Sequence, residues 1–162
     1  MDTERIAARH SSIQIVEYSD EYRDQVIAGA HQMHADSIYA DLPLDEDKVI
    51  RQLAACGNIA PDRFFRLAVR KGEVMGGFYG HYSRAFFCDE LLAHDMGWWV
   101  LRDKRGTAAA VVLLAAFEVW AKERGAKKVM VGQSTAIDIG RTTKLYRHCG
   151  FRVIGFNTVK DI

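Results

Sequence analysis

The stretch VLRDKRGTAAAVVLL, residues 100–114, runs into an apolar helix whose charges oppose the usual rule. A helix start carries about half a positive charge and attracts Asp or Glu. Here Arg102, Lys104 and Arg105 stand before a start near Thr107, with only Asp103 against them, and the first turn holds Ala108, Ala109 and Ala110. The first four amide N–H groups of a helix have no intrahelical partner. Small side chains let a large anion reach those amides, and an arginine grips a phosphate with two hydrogen bonds. The stretch therefore reads as an anion site, the alternative being good helix formers packed under a sheet. The common nucleotide motifs do not compete. GxxxxGK(S/T) is missing, and VMGGFYG, residues 74–80, is not GxGxxG. Gly76, Gly77 and Gly80 read as a bulge or close packing within a strand.

Periodicity sets the surroundings. SIQIVEY, residues 12–18, alternates and predicts a strand. A helix follows from about Asp20, with Val26, Ile27, Ala30 and Met33 as its apolar stripe. LDEDKVIRQLAAC, residues 44–56, fits a second helix with acids early and Gly57 at its stop. RFFRLAVRKGEVMGGFYGHY, residues 63–82, predicts a hairpin turning at Lys71, Gly72 and Glu73. A strand around residues 96–101 leads into the quoted helix, which ends in Lys122, Arg124 and Gly125. KKVMVGQ, residues 127–133, predicts the next strand. A short helix over residues 141–149 stops at Gly150, and FRVIGFNTV, residues 151–159, predicts a final strand. Strands and helices mix, so the class is α/β or α+β around a central sheet.

The chain has 162 residues, 49% of them apolar and 27% charged, which predicts one domain over residues 1–162 with an ordinary core. A formal charge of +1 does not indicate nucleic-acid binding. Cys56, Cys88 and Cys149 are scattered and odd in number, the pattern of free thiols in a reducing cytoplasm. No apolar run approaches the ~20 residues that span a membrane. His31 and His34 share a helix face by their spacing, but two ligands make no metal site.

Three segments in order resemble the GCN5-related N-acetyltransferase (GNAT) superfamily. The quoted stretch resembles its acyl-CoA segment, Q/R-x-x-G-x-G/A, with Arg105 in the first place and Ala110 in the last. LAVRKGEVMGGFYG, residues 67–80, resembles the hairpin before it, and LYRHCGFRVIG, residues 145–155, the Y-x-x-x-G-F segment after it. Two positions depart: Ala108 stands where the family has glycine, and Ile139 where it often has asparagine. More loosely, the layout resembles short acetyltransferase-like proteins encoded by bacteriophages.

The resemblance implies a mixed, mostly antiparallel central sheet flanked by helices. It implies acetyl transfer from acetyl-CoA to a primary amine by direct attack. The alternative is a non-catalytic protein on the same fold, sensing acyl-CoA or binding a protein. Trp99, Val100 and Leu101 would pair with pantetheine, and the amides of Gly106, Thr107, Ala108, Ala109 and Ala110, with Arg105, would hold pyrophosphate. A glutamate in place of Arg105 is then expected to weaken CoA binding and spare the fold, because an acid before a helix suits its dipole. Arg141 is placed to meet cofactor phosphate, and Ser134 or Thr135 to replace the asparagine contacts. Tyr146 matches the family's general acid toward the departing thiolate, a role a phenol of pKa near 10 suits. The base is sought in CDELLAHDMGWW, residues 88–99, where Asp89, Glu90, His94 and Asp95 are candidates and Asp95 lies nearest the cleft. Trp98 and Trp99 point to opposite sheet faces if extended. Cys149 is a candidate thiol by its nearness to Tyr146, the alternative being an inert buried one.

The acceptor would enter opposite the cofactor, below the first two helices. ADSIYADLPLDEDK, residues 35–48, is acidic there through Asp36, Asp41, Asp45, Glu46 and Asp47. It is expected either to draw in a cationic amine or to be a solvated loop with an acid-rich helix start. A homodimer is the expected assembly to test.

Overall fold

The computed structural model describes residues 12–55 and 61–161. Its sheet has five strands in chain order: β1 (Gln14–Glu17), β2 (Arg63–Arg70), β3 (Glu73–Arg84), β4 (Leu91–Val100) and β5 (Lys128–Met130). The first four run antiparallel to their neighbours, and β5 joins β4 in parallel. The helices are α1 (Arg23–Asp36), α2 (Glu46–Ala54), α3 (Ala109–Glu123) and α4 (Ile139–His148). Mixed class and mostly antiparallel sheet agree with the expectation. Cys56 and Gly57, the expected stop of the second helix, lie outside the described residues.

The β2–β3 hairpin turns where its residues require. Arg70 pairs with Glu73, leaving two turn residues, Lys71 at φ 53° and Gly72 at φ 79°. Positive φ at both central positions fits the type I′ turn, whose twist matches the strands it joins. β2 is covered on both faces, which is why RFFRLAVR reads as nearly continuous apolar sequence. Phe65, Leu67 and Val69 pack in one cluster with Val26 of α1 and Leu53 of α2. Phe64 and Ala68 pack in the other, with α3 and with Tyr146 and Cys149. Alternate residues thus serve opposite layers.

Trp99 pins α1 to the sheet. A Cβ at Gly29 would stand 2.6 Å from its indole Nε1, and one at Gly77 would stand 2.3 Å from its ring. Both glycines are spaces for one side chain, which is the close packing expected of Gly77.

Two expectations change. The quoted helix starts at Ala109, after a 3₁₀ turn at Arg102–Lys104. The Thr107 hydroxyl donates to the Lys104 carbonyl and accepts from the Ala109 amide, so Thr107 closes the turn before the helix. Residues 151–159 form no strand. Val153, Ile154 and Phe156 are exposed, and the segment meets the chain after β5 through a side chain, Asn157 Nδ2 donating to the Gln133 carbonyl. The apolar and β-branched residues of a strand are present, but the backbone has no ladder to join among the described residues.

Gly77→Ala is expected to cost roughly 1–3 kcal/mol, the overpacking range, read as a lower urea midpoint. Adding Trp99→Leu should return part of the loss. A Gly77→Ala variant as stable as the parent would show the indole free to move.

Candidate active site

The site is built where β4 leaves β5. Their ladder pairs Leu92 with Lys128, Ala93 with Val129 and His94 with Met130, and ends there. At the next step a side chain replaces the ladder: Asp95 Oδ1 accepts from the Gly132 amide at 2.9 Å. The Tyr146 hydroxyl donates to the Gly132 carbonyl at 2.7 Å and accepts from Trp98 Nε1 at 3.2 Å. The Trp98 and Tyr146 rings stack with centroids 5.8 Å apart.

A bulge puts Asp95 there. Gly80 pairs with Asp95 and Tyr79 with Gly97, so Met96 is an extra residue on β4. Strict alternation from Trp99 would give Asp95 the α1 face. The extra residue inverts the order, and Ala93 packs on the same α3 face as Trp98. Asp95 thereby joins Trp98 and Tyr146. Trp98 and Trp99 do take opposite faces, as expected.

Burial controls the titration of both groups. Desolvation pushes the Asp95 carboxyl up to about 6, against a partial offset from the Gly132 amide. Burial first, and then the Asp95 charge, hold the Tyr146 phenol well above its ordinary value of 10.0. Asp89 and Glu90 are exposed at the far end of β4, and the His94 ring stacks on His81 5.6 Å away. Burial of Cys149 raises its thiol, which leaves it protonated and inert.

A cavity of about 870 Å³ runs past this vertex. Of the expected cofactor residues, Trp99, Val100, Arg105, Gly106, Thr107, Ala110, Ser134 and Arg141 line it, and so does Asp95. Tyr146 stands one hydrogen bond behind it, through Gly132 and Trp98. Leu101, Ala108 and Ala109 do not line it. The Leu101 amide is bound to the Met75 carbonyl, Ala108 caps α3, and Ala109 is fully buried with its amide on Thr107. Gly106 has φ 91°, and a Cβ there would stand 2.9 Å from a guanidinium nitrogen of Arg141. Asp138 positions that arginine by capping α4, accepting from the Arg141 amide at 3.1 Å. A left-handed glycine, a facing guanidinium and the start of α3 make a cradle that fits a pyrophosphate.

Sequence reasoning missed Gln133, Asp138 and Asn157, which also line the cavity. Gln133 Oε1 is buried without a hydrogen-bond partner, while its Nε2 donates to the Ile137 carbonyl. Asp138 carried a signal, as a capping residue before a short helix. Asn157 carried none. Ile139, at the family's asparagine position, is 60% exposed and turned away from the cavity lining.

The Acetyltransferase (GNAT) family model matches residues 16–151. The chain belongs to the GNAT acetyltransferase family. Its activity is acyl-CoA-dependent acetyl transfer to an amine, with acetyl-CoA as cosubstrate. The fold is shared with a transcriptional regulator from Bacillus halodurans C-125, at TM-score 0.73 and 15% identity over 93% of this chain and 99% of that one. It is shared with glucosamine-6-phosphate N-acetyltransferase from Arabidopsis thaliana, at TM-score 0.71 and 13% identity over 92% and 97%. A third neighbour is an aminoglycoside acetyltransferase from an uncultured soil metagenomic sample in complex with sisomicin, at TM-score 0.65 and 14% identity over 93% and 98%. Against curated proteins the chain has no match.

In this GNAT chain, Arg105 does not stand free for a phosphate. Its guanidinium donates to Asp36 Oδ2 at 2.8 Å and to the Val100 carbonyl at 3.2 Å. Arg102 donates to the other Asp36 oxygen, and its amide to Gln32 Oε1 at 2.6 Å. Gln32 and Asp36 are four apart on α1 and share a face. They tie the end of α1 to the turn before α3, and the two guanidinia lower the Asp36 carboxyl. Arg141 is the guanidinium that faces Gly106, and both arginines line the cavity.

The acidic segment is likewise committed elsewhere. Asp36 is latched, Asp45 caps α2 by accepting from Lys48, Glu46 meets His31 at 2.5 Å and Asp47 lies 3.7 Å from Arg23. Neither these four nor Asp41 lines the cavity.

Two outcomes follow. Arg105→Glu is expected to lower the melting temperature, because it sets a carboxylate beside Asp36 where a latch had been; an unchanged value would make the latch a surface pair. Asp95 has a folded pKa near 6, above its ordinary 3.8. Its contribution to stability is fully present below pH 4 and lost as pH rises through 6. Asp95→Asn keeps the acceptor for Gly132 and removes the charge. It should therefore stabilise the fold by about 1–3 kcal/mol at pH 8, with the gain gone at pH 4. Denaturant midpoints at the two pH values check this.

Proposed function

We propose that the acetyl group passes directly to a primary amine at the vertex of the β4–β5 splay, with Asp95 as base and Tyr146 as acid. One observation carries the reading: both groups are hydrogen-bonded to the same residue, Gly132, one at its amide and one at its carbonyl. Bound acetyl-CoA supplies an activated thioester. Trp99 and Val100 lie along the open edge of β4 to meet pantetheine. Gly106, Thr107, Ala110 and Arg141 would hold the pyrophosphate, with Ser134 at the opposite wall.

An amine enters protonated, its pKa being about 10.4 for a lysine-like group. Asp95, ionised above pH 6, receives that proton at its carboxylate. The two groups are linked. The Asp95 charge is one of the causes that hold the Tyr146 proton. Protonating Asp95 removes that charge and makes the phenol a stronger acid as a thiolate needs its proton. Delivery requires the hydroxyl to turn from the Gly132 carbonyl to the sulfur; the nitrogen's second proton, lost as the amide forms, restores the phenol, and Asp95 releases the first to solvent.

The same reading places the enzyme in the cytoplasm, where acetyl-CoA and free thiols occur. Exposed Val153, Ile154 and Phe156 supply an apolar surface for a homodimer.

Calorimetry with acetyl-CoA tests the cosubstrate site, and thiol release with primary amines tests transfer. Tyr146→Phe is expected to lower kcat by about 10²-fold with little change in acetyl-CoA affinity. The parent's kcat/KM should fall below pH 6, a limb that Asp95→Asn should lack. Unchanged turnover in Tyr146→Phe removes that residue from the mechanism.

A further inference from the structure

We infer that the acceptor is a primary amine on an apolar body, an alkyl chain or an aromatic ring, and not a polycation or a sugar phosphate. The inference rests on the acetyl-transfer reading above and adds its substrate class. The cavity has two unlike ends. Gly106 and the cations Arg105 and Arg141 mark one. The other is walled by Val26, Ala30 and Met33 of α1, Val49 and Leu53 of α2, and the Trp99 indole. Val26, Val49, Leu53 and Trp99 belong to one hydrophobic cluster, so this end opens directly onto core.

Charge points the same way. Among the described residues, the acids on the lining are Asp95, at the vertex, and Asp138, at the start of α4. One carboxylate therefore meets the one reacting nitrogen. A second ammonium pushed between α1 and α2 would lose its hydration with no carboxylate to receive it. A phosphate there would find no arginine or lysine on the lining. The polar groups nearby are uncharged side-chain atoms: the Ser37 hydroxyl is bonded to the His34 carbonyl, the Tyr79 hydroxyl accepts from Arg63 at 2.6 Å, and His34 Nε2 and Trp99 Nε1 are buried without a hydrogen-bond partner among the described residues. They suit a single hydroxyl or ether oxygen on the body.

The test is a homologous series. Thiol release is measured with the full chain at saturating acetyl-CoA, using n-alkylamines from ethylamine to hexylamine, which share one basicity. 2-Phenylethylamine, kanamycin and glucosamine 6-phosphate complete the panel. We expect kcat/KM to rise roughly threefold per methylene until the end wall is met. 2-Phenylethylamine should match the longer chains, and kanamycin and glucosamine 6-phosphate should fall at least tenfold below hexylamine. Ala30→Asp should lower kcat/KM for hexylamine at least tenfold while acetyl-CoA affinity stays unchanged. Val49→Thr, nearly isosteric, should shrink the gain per methylene if the harsher variant does not fold. A flat or falling series, or faster reaction with either polar amine, overturns the substrate class and leaves acetyl transfer intact. Acetyl-CoA binding with no thiol release by any of these amines overturns both.

Discussion

One hydrogen bond governs the site: the Asp95 carboxylate on the Gly132 amide. Parallel strands continue as long as carbonyls meet amides, and here the ladder stops after His94 and Met130. A side chain satisfies the next amide in place of a carbonyl. The strands diverge with that donor still paired. The same substitution puts an acid at the narrow end of the opening and a tyrosine on the far side of the same residue. Fold and chemistry share one contact.

The architecture was legible where local rules act. Lys71 and Gly72 mark their turn because positive φ is demanded at both positions, and Gly150 ends α4 at φ 89° for a related reason. The apolar run of β2 before that turn pointed to a hairpin strand, and the covering of both its faces explains why it has no polar face. The last expected strand failed because strand-forming composition says nothing about a neighbour to pair with. Residues 151–159 have the composition and lack the partner.

The site was legible in its members and not in its wiring. Asp95 and Tyr146 were named from the chain, and the structure brings them together. That meeting depends on Met96, an inserted residue that no alternation rule marks. Arg105 was read as a free cation because the one acid beside it in sequence, Asp103, faces three basic residues. Its partner Asp36 lies on another helix, 69 positions away. For the acids of residues 36–47 the sequence left two readings open, and the structure favours the acid-rich helix start, with Asp45 as its cap. Asp36, Asp45, Glu46 and Asp47 have local or tertiary partners, and counting charges along a segment does not show which are already neutralised.

Chain order in the sheet has a kinetic meaning. Strands β1 to β4 each pair with the next strand in sequence, and the type I′ turn joins two of them at the shortest distance available. Loop-closure entropy is small for the β2–β3 and β3–β4 hairpins, so those two ladders form early, whereas β1 reaches β2 only across α1 and α2. The β4–β5 seam is different. It spans α3, joins residues as distant as His94 and Met130, and holds three pairs. It is the shortest ladder of the sheet and has the fewest backbone pairs to hold it closed. A ligand that touches both banks of the splay lends its binding free energy to that seam. Occupancy of the site and completion of the fold thus become one equilibrium, and the protein is most fully folded when it is loaded.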